Sequence, residues 1–203
     1  MNIVRYKKHS KEELIKRLRK VTLLNSSEDK PIFIYKDADI DLVDVSVPSL
    51  MPAQFYKLEY AINKIKELQK ALKKQKLDLF NTEGYLSYQT YESDSEWNLL
   101  PAIVEYQLEK DEVVYPLILD GLHRVALARD QKLDKIKVIK IVNKLIDFPP
   151  PAFANPKGWE DVRTVSSPPE SRDKKYWRFP VEIVYKYYRN FNSAFENVGK
   201  PRK

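Results

Sequence analysis

Apolar residues recur along this chain with two distinct periods. In residues 41–47, Val43, Val45 and Val47 alternate with Leu42, Asp44 and Ser46, the period of two that places successive side chains on opposite faces of a strand. "KIKVIKIV" at 135–142 has the same period, and "IFIY" at 32–35 is a short strand-like run. The stretch "PAIVEYQLEKDEVVYPLIL" at 101–119 predicts a hairpin, two apolar strands around a polar turn near 109–112. The helical period appears elsewhere. Ser10 and Glu13 form a capping-box pattern ahead of Leu14, Ile15, Leu18 and Val21, which predicts a helix over 11–22. Pro52 opens a longer pattern running to about Gln75, with Leu58, Ala61, Ile62, Ile65, Leu68 and Leu72 as its apolar stripe and a lysine-rich face for solvent. A short helix is predicted at 122–131. Residues 25–31 read as a loop, and "VEIVYKYYRNFNSAF" at 181–195 fits a helix or a strand equally.

The order of strand, long helix, hairpin, short helix and strand defines an α+β domain over residues 30–148, a small mixed sheet with flanking helices. A basic helix and loop precede it in 1–29. From 149 the composition shifts to "PPPAFANPKGW" and "SSPPES". Prolines so closely spaced disfavour a helix, so 149–203 is read as a proline-rich, aromatic extension packed on the domain, with Phe153 and Trp159 as its anchors over 149–171.

Composition narrows the function classes. At 203 residues with 43% apolar and 12% aromatic content, the chain can bury a sizeable core. It has no cysteine, which excludes disulfides, thiolate metal sites and cysteine nucleophiles. No apolar run approaches the roughly 18–20 residues needed to span a membrane, and the N-terminus lacks the apolar core of a secretory signal; a cytoplasmic protein with no membrane partner is expected. The net charge of +7 sits at the ends. Residues 1–20 hold eight Lys or Arg against two Glu and the tail "GKPRK" adds +3, leaving residues 21–198 at −2. Such ends suit weak contact with nucleic-acid phosphates, although solvated charge accounts for them as well.

The chemistry concentrates at "LILDGLHRVALA" (117–128). An apolar strand ends at Asp120, Gly121 breaks it, and a helix follows. A helix N-terminus presents free N–H groups and the positive end of the helix dipole, a natural site for phosphate. Gly121 and Leu122 would bring the backbone to the anion, Arg124 would supply a forked cation, and His123 a second donor or a proton shuttle. Asp120 reads as the helix N-cap, as the residue orienting His123, or as a holder of nucleotide-bound Mg2+. From the residues alone, a purely structural reading of Asp120, Gly121, His123 and Arg124 as cap, turn and helix surface is the simpler one. Tyr85, Tyr88 and Tyr91 in "GYLSYQTY" read as packing or a pocket rim rather than a stacking platform. No second histidine or paired-carboxylate motif joins His9 in a nuclease-like metal centre, and no resident metal site is expected.

"PLILDGLHRVALA" resembles the nucleotide-contacting motif of the ParB/sulfiredoxin superfamily in its DG-x-HR form. "DVSVPSLMPAQFYKLEYAINKIKEL" is similar to that family's opening strand, loop and first helix, and "PAIVEY" and "KIKVIKIV" to the strands flanking the motif. The resemblance covers about residues 40–143 and implies a ParB/sulfiredoxin-like fold. Sulfiredoxin chemistry is excluded by the missing cysteine, with His123 nearest its position, and the proline-rich segment leaves little room for the helix-turn-helix domain of chromosome-partition ParB. The stand-alone branch remains, with free-serine kinases and ParB-like nucleases. In those kinases an acidic residue in the loop before the first helix acts as base; here Gln54 occupies that position, and Glu59 or Asp120 would have to substitute. The resemblance therefore implies a nucleotide-binding phosphotransferase, a kinase acting on a small-molecule hydroxyl. ATP or ADP, with CTP as a further candidate, would bind with Mg2+ at 121–124, and Asp120 and His123 would be the catalytic groups. The alternatives are a ParB-like nucleic-acid-binding protein or nuclease, and a nucleotide-gated interaction module without catalysis. The sequence leaves the oligomeric state open.

Overall fold

The computed structural model describes residues 1–27 and 29–198; the basic tail 199–203 lies outside the described residues. Strand β1 (Ile3–Ser10) leads into helix α1 (Lys11–Leu18) and the short strand β2 (Thr22–Leu23). Strands β3 (Asp39–Ser46), β4 (Met51–Pro52) and β5 (Tyr56–Leu58) precede helix α2 (Glu59–Lys74). Then come β6 (Gly84–Thr90), β7 (Ser93–Leu99), β8 (Ala102–Leu108) and β9 (Val114–Asp120), helix α3 (Leu122–Asp130) and β10 (Lys135–Val142). Among the described residues the C-terminal part contributes β11 (Arg163–Val165), β12 (Arg189–Asn190) and single turns of 3-10 helix. The protein is a mixed α+β structure.

Five strands form the main sheet in the order β3-β10-β8-β9-β4. Strand β10 lies between β3, antiparallel, and β8, parallel, and its alternation explains the layering. Ile136 and Val138 face one hydrophobic core, shared with α2 and α3, while Ile139 and Ile141 face a second, shared with α1. Both sets are 4% exposed or less, so the period-two pattern here marks a strand covered on both faces. A second sheet, β1-β6-β7, is antiparallel throughout. On β6, Tyr85 and Tyr88 lie on opposite faces, in the second and first core respectively, and Tyr91 beyond the strand is 82% exposed.

Four expectations are corrected. Residues 32–35 form a turn rather than a strand, joined to the fold by a single bridge from Phe33 to Thr22; the run is apolar because Ile34 and Tyr35 plug the second core at 0% exposure. The long helix begins at Glu59, not Pro52, because Met51 and Pro52 pair with Leu117 and Ile118 and residues 56–58 pair with 163–165. The N-terminal residues are a strand, and the helix after them stops at Leu18 rather than 22. Ser10 caps that helix by accepting from the Glu13 N–H at 3.2 Å, but the Glu13 side chain turns to other partners. Residues 181–195 are neither helix nor long strand but 3-10 turns around β12.

The proline-rich stretch contains no α-helix; it has one 3-10 turn, Gly158–Asp161, and β11. Trp159 packs against the first core and donates from Nε1 to the Leu50 carbonyl at 2.7 Å. Phe153 is half-buried, with the Arg178 guanidinium carbon 3.9 Å from its ring centre. Further on, Arg189 is 3% exposed and reaches Glu105, 1% exposed, on β8. Its Nη2 donates to both carboxylate oxygens at 2.9 and 3.1 Å and to the Phe148 carbonyl at 2.9 Å. Its Nε donates to Oε2 of Glu105 at 3.3 Å, and its Nη1 to the carbonyls of Pro149 and Tyr187 at 3.0 and 2.7 Å. Every guanidinium N–H is thereby paired, the condition under which a buried ion pair is tolerated. Tyr35 completes the cluster, donating to Glu105 at 3.0 Å; burial, with the Glu105 charge beside it, holds the phenol well above its ordinary range.

Candidate functional site

Strand β9 delivers Asp120 to the edge of α3 through Gly121, whose φ of +87° is left-handed. A β-carbon at this position would lie 3.0 Å from the Ala102 backbone and 2.8 Å from the Arg124 guanidinium, so both the turn and the close approach require glycine. Leu122 anchors the start of α3 in the first core, and Val125, Ala126, Leu127 and Ala128 bury the rest of it. The helix cylinder is fixed, and its first turn is held at the sheet edge.

The side chains are placed as follows. Asp120 does not cap the helix: no side chain does. Its Oδ2 instead accepts from Arg124 Nη2 at 2.9 Å, across one helical turn. Arg124 Nη1 donates to the Leu100 carbonyl. The pair is partly open, with 12% of the Arg124 and 32% of the Asp120 side chain exposed. The Leu58 N–H donates to Nε2 of His123 at 2.9 Å, which places the ring proton on Nδ1. Burial lowers the His123 pKa; Asp120 opposes this, while Arg124 and Lys57 reinforce it. The ring is accordingly a neutral acceptor at pH 7, a latch between α3 and the strand that precedes α2. Tyr88 lies within electrostatic reach of Arg124; burial raises its phenol, and the guanidinium partly offsets that.

Asp120, Gly121, Leu122, His123 and Arg124 are thus gathered at one turn, as their sequence adjacency dictates. Gln54 is not joined to them by any hydrogen bond among the described residues: its Nε2 donates to the Tyr56 carbonyl at 2.7 Å, within its own loop. Glu59 is exposed as the first residue of α2, directly after the Leu58 that His123 holds. The Leu100 carbonyl and the Leu58 N–H were not foreseen, because backbone partners leave no residue-type signal. One turn further along α3, Lys57, Arg129, Asp130 and Trp159 line a cleft of about 190 Å3, in which Arg129 stacks over Trp159 at 4.8 Å.

The donor set at 120–124 suits an anion. Among the described residues no group of three or more His, Asp or Glu could hold a metal. A second linked set lies elsewhere. His9 Nδ1 is 3.1 Å from Glu13 and its Nε2 2.8 Å from Ser87 Oγ, with the ring stacked on Tyr85 at 4.1 Å. This connectivity resembles a nucleophile–base–acid relay. Ser87, however, is 3% exposed in a strand paired on both sides, which leaves no free backbone donors for an oxyanion. It joins β1, α1 and β6 structurally.

Fold and site together define a mixed α+β domain with a strand–glycine–helix junction at residues 120–124. The family model of the ParB CE domain matches residues 13–163, most of the chain, and the chain belongs to that family. No curated protein and no solved structure matches it.

Proposed function

We propose that this ParB-like domain is a nucleotide-binding module, and that its ligand lies with its phosphates at the 120–124 turn. One observation carries the reading: α3 starts at a left-handed glycine without a side-chain cap, and the adjacent carboxylate is turned away to Arg124. The Gly121 carbonyl takes the Arg124 N–H; the N–H groups ahead of it and the helix dipole are left for an incoming anion. Arg124 is already oriented beside it, paired to a carboxylate that a phosphate can replace with a similar charge and geometry. ATP, ADP or CTP is the ligand class, with Mg2+ carried on the phosphates and Asp120, once released, facing it. The exchange would also loosen or tighten the His123–Leu58 latch, coupling occupancy to the loop before α2. That is the nucleotide-gated form of the reading.

Phosphoryl transfer to a small-molecule hydroxyl is the second form. Asp120 favours it, as a half-exposed carboxylate that can accept a proton next to Arg124. His123, neutral and with Nε2 engaged, is a positioning group in either form, and neither Gln54 nor Glu59 is held toward the turn. A thermal-shift screen of ATP, ADP, CTP and GTP with and without Mg2+ tests the proposal, since a bound ligand raises stability as RT ln(1 + [L]/Kd). A shift with at least one nucleotide is expected. Unchanged melting with all four would leave the junction as a structural cap.

A further inference from the structure

The half-buried and buried arginines of this fold spend their guanidinium donors on oxygen acceptors, with one exception. Arg17 donates to the Ala194 carbonyl, Arg124 to Asp120 and the Leu100 carbonyl, Arg178 to Glu109 and Arg189 to Glu105. Arg129, half-buried in the last turn of α3, has no acceptor among the described residues. Its guanidinium carbon lies 4.8 Å from the ring centre of Trp159, within cation–π reach. That contact occupies the face of the guanidinium and leaves the N–H donors along its edge unused.

Arg129 lines the cleft of about 190 Å3 together with Lys57, Ala126, Asp130, Trp159 and Val162. Its walls are fixed. Trp159 is held by its Nε1 bond to the Leu50 carbonyl, and Lys57 lies on β5 opposite Thr164 of β11. Lys57 brings a second cation, with 20% of its side chain exposed. Its ion-pair partner Asp130 is 3.5 Å away and 52% exposed, longer than the about 2.7–2.9 Å of a charge-assisted hydrogen bond. Two cations against one carboxylate leave the cleft net positive, and both cations are partly buried yet reach its open space. The last turn of a helix suits a cation such as Arg129, and its stacking on Trp159 ties the proline-rich segment to α3; neither role uses the donor edge. The volume is below the about 300–1,000 Å3 of sites for drug-sized ligands, so the cleft admits one acidic group rather than a whole cofactor.

We infer that this cleft is an oxyanion site, which takes the phosphate or carboxylate group of a small molecule between the Arg129 fork and the Lys57 ammonium. Arg129 holds two oxygens along its free edge while Trp159 keeps the guanidinium flat, the geometry that favours arginine for planar, bidentate recognition. Lys57 exchanges its long contact with Asp130 for a further oxygen. A bound anion thereby ties together α3, β5 and the turn that carries Trp159. The site shares no residue with the 120–124 turn, so it stands or falls separately from the proposed nucleotide binding.

The test is two-dimensional NMR of the nitrogen-labelled full chain, read at the Arg129 Nε–H and the Trp159 indole N–H. Inorganic phosphate, acetate and chloride are titrated separately at matched pH and ionic strength. Saturable shifts are expected with phosphate, acetate or both, and none with chloride. Response to phosphate alone identifies a phosphomonoester ligand, and response to acetate alone a carboxylate ligand. Arg129→Lys keeps the charge and loses the fork, and Lys57→Gln loses the second cation; each, read at the Trp159 indole, should weaken binding about tenfold. Asp130→Asn, which frees Lys57, should tighten it. Arg124→Ala should leave these shifts unchanged, because phosphate at the 120–124 turn acts on Arg124 instead. An equal response to chloride, no saturable response to either oxyanion, or undiminished affinity in both Arg129→Lys and Lys57→Gln would overturn the site.

Discussion

Two arginine–carboxylate pairs with different surroundings organise this molecule. Glu105 and Arg189 are 84 residues apart in sequence and fully buried, with Tyr35 and three backbone carbonyls using up the remaining capacity. Burial alone would lower Arg189, but the Glu105 charge, Tyr35 and the hydrogen bonds to both together outweigh it and hold the guanidinium above its ordinary value. Asp120 and Arg124 are one helical turn apart and partly open to solvent, with a single carbonyl in support. Solvent reaches the second pair and not the first. Chemistry common to both pairs thus yields a buried clasp in one place and a partly solvent-facing pair in the other.

Breaking the clasp should have the largest effect. Glu105→Gln leaves a buried guanidinium without its counter-charge and should cost about 3–5 kcal/mol, read as a large drop in the denaturant midpoint. Tyr35→Phe, which removes one hydrogen bond to the same carboxylate, should cost about 1 kcal/mol. If Glu105→Gln melts like wild type, the clasp contributes nothing and the contrast between the two pairs collapses.

At the open pair, Arg124→Ala should cost less, about 1–3 kcal/mol for the unpaired Leu100 carbonyl and Asp120, with circular dichroism still native. Asp120→Asn should cost less again, since the helix has no cap to lose there.

The latch beside that pair makes stability depend on pH. His123 has its pKa lowered by burial in the folded protein, so the unfolded chain takes up the proton first. Stability is therefore fully present above about pH 6.5, the unfolded value for histidine, and declines as pH falls from there toward the folded value. His123→Asn should flatten that part of the profile relative to wild type. An unchanged slope in chemical denaturation between pH 7 and 5 would assign it to other groups.

The smallest effect concerns the basic edge. Arg5, Lys7 and Lys8 are exposed on β1, an edge strand. If nucleic acid binds there, contact with backbone phosphates should be weak and steeply salt-dependent. Tight, sequence-selective binding in fluorescence anisotropy at physiological salt would favour the nucleic-acid alternative.

What the sequence revealed follows from how local each signal is. The 102–108 and 114–120 strands, the start of α3 and the 135–142 strand were legible because periodicity and a glycine turn act within a few residues. β1 was hidden because, as an edge strand, it buries only Ile3 and exposes its charges, so it reads as a basic arm. The start of α2 was misplaced because Met51 and Pro52 find strand partners more than 60 residues away. At the site, the residues were legible but not their bonds. A cap was one of the roles read for Asp120 because aspartate favours that position, whereas its four-residue spacing to Arg124 matches the ion pair that formed. The Glu105–Arg189 clasp had no local signature at all.

The account turns on Arg124 exchanging Asp120 for phosphate. Calorimetric titration of ATP, ADP and CTP, with and without Mg2+, into wild type, Arg124→Ala and Asp120→Asn measures that exchange directly. Wild type should bind at least one nucleotide. Arg124→Ala, folded, should lose about ten- to a hundredfold in affinity, and Asp120→Asn, with no carboxylate competing for the guanidinium, should bind as tightly or more tightly. Equal affinity in wild type and Arg124→Ala, or a loss in Asp120→Asn as large as that in Arg124→Ala, would contradict it.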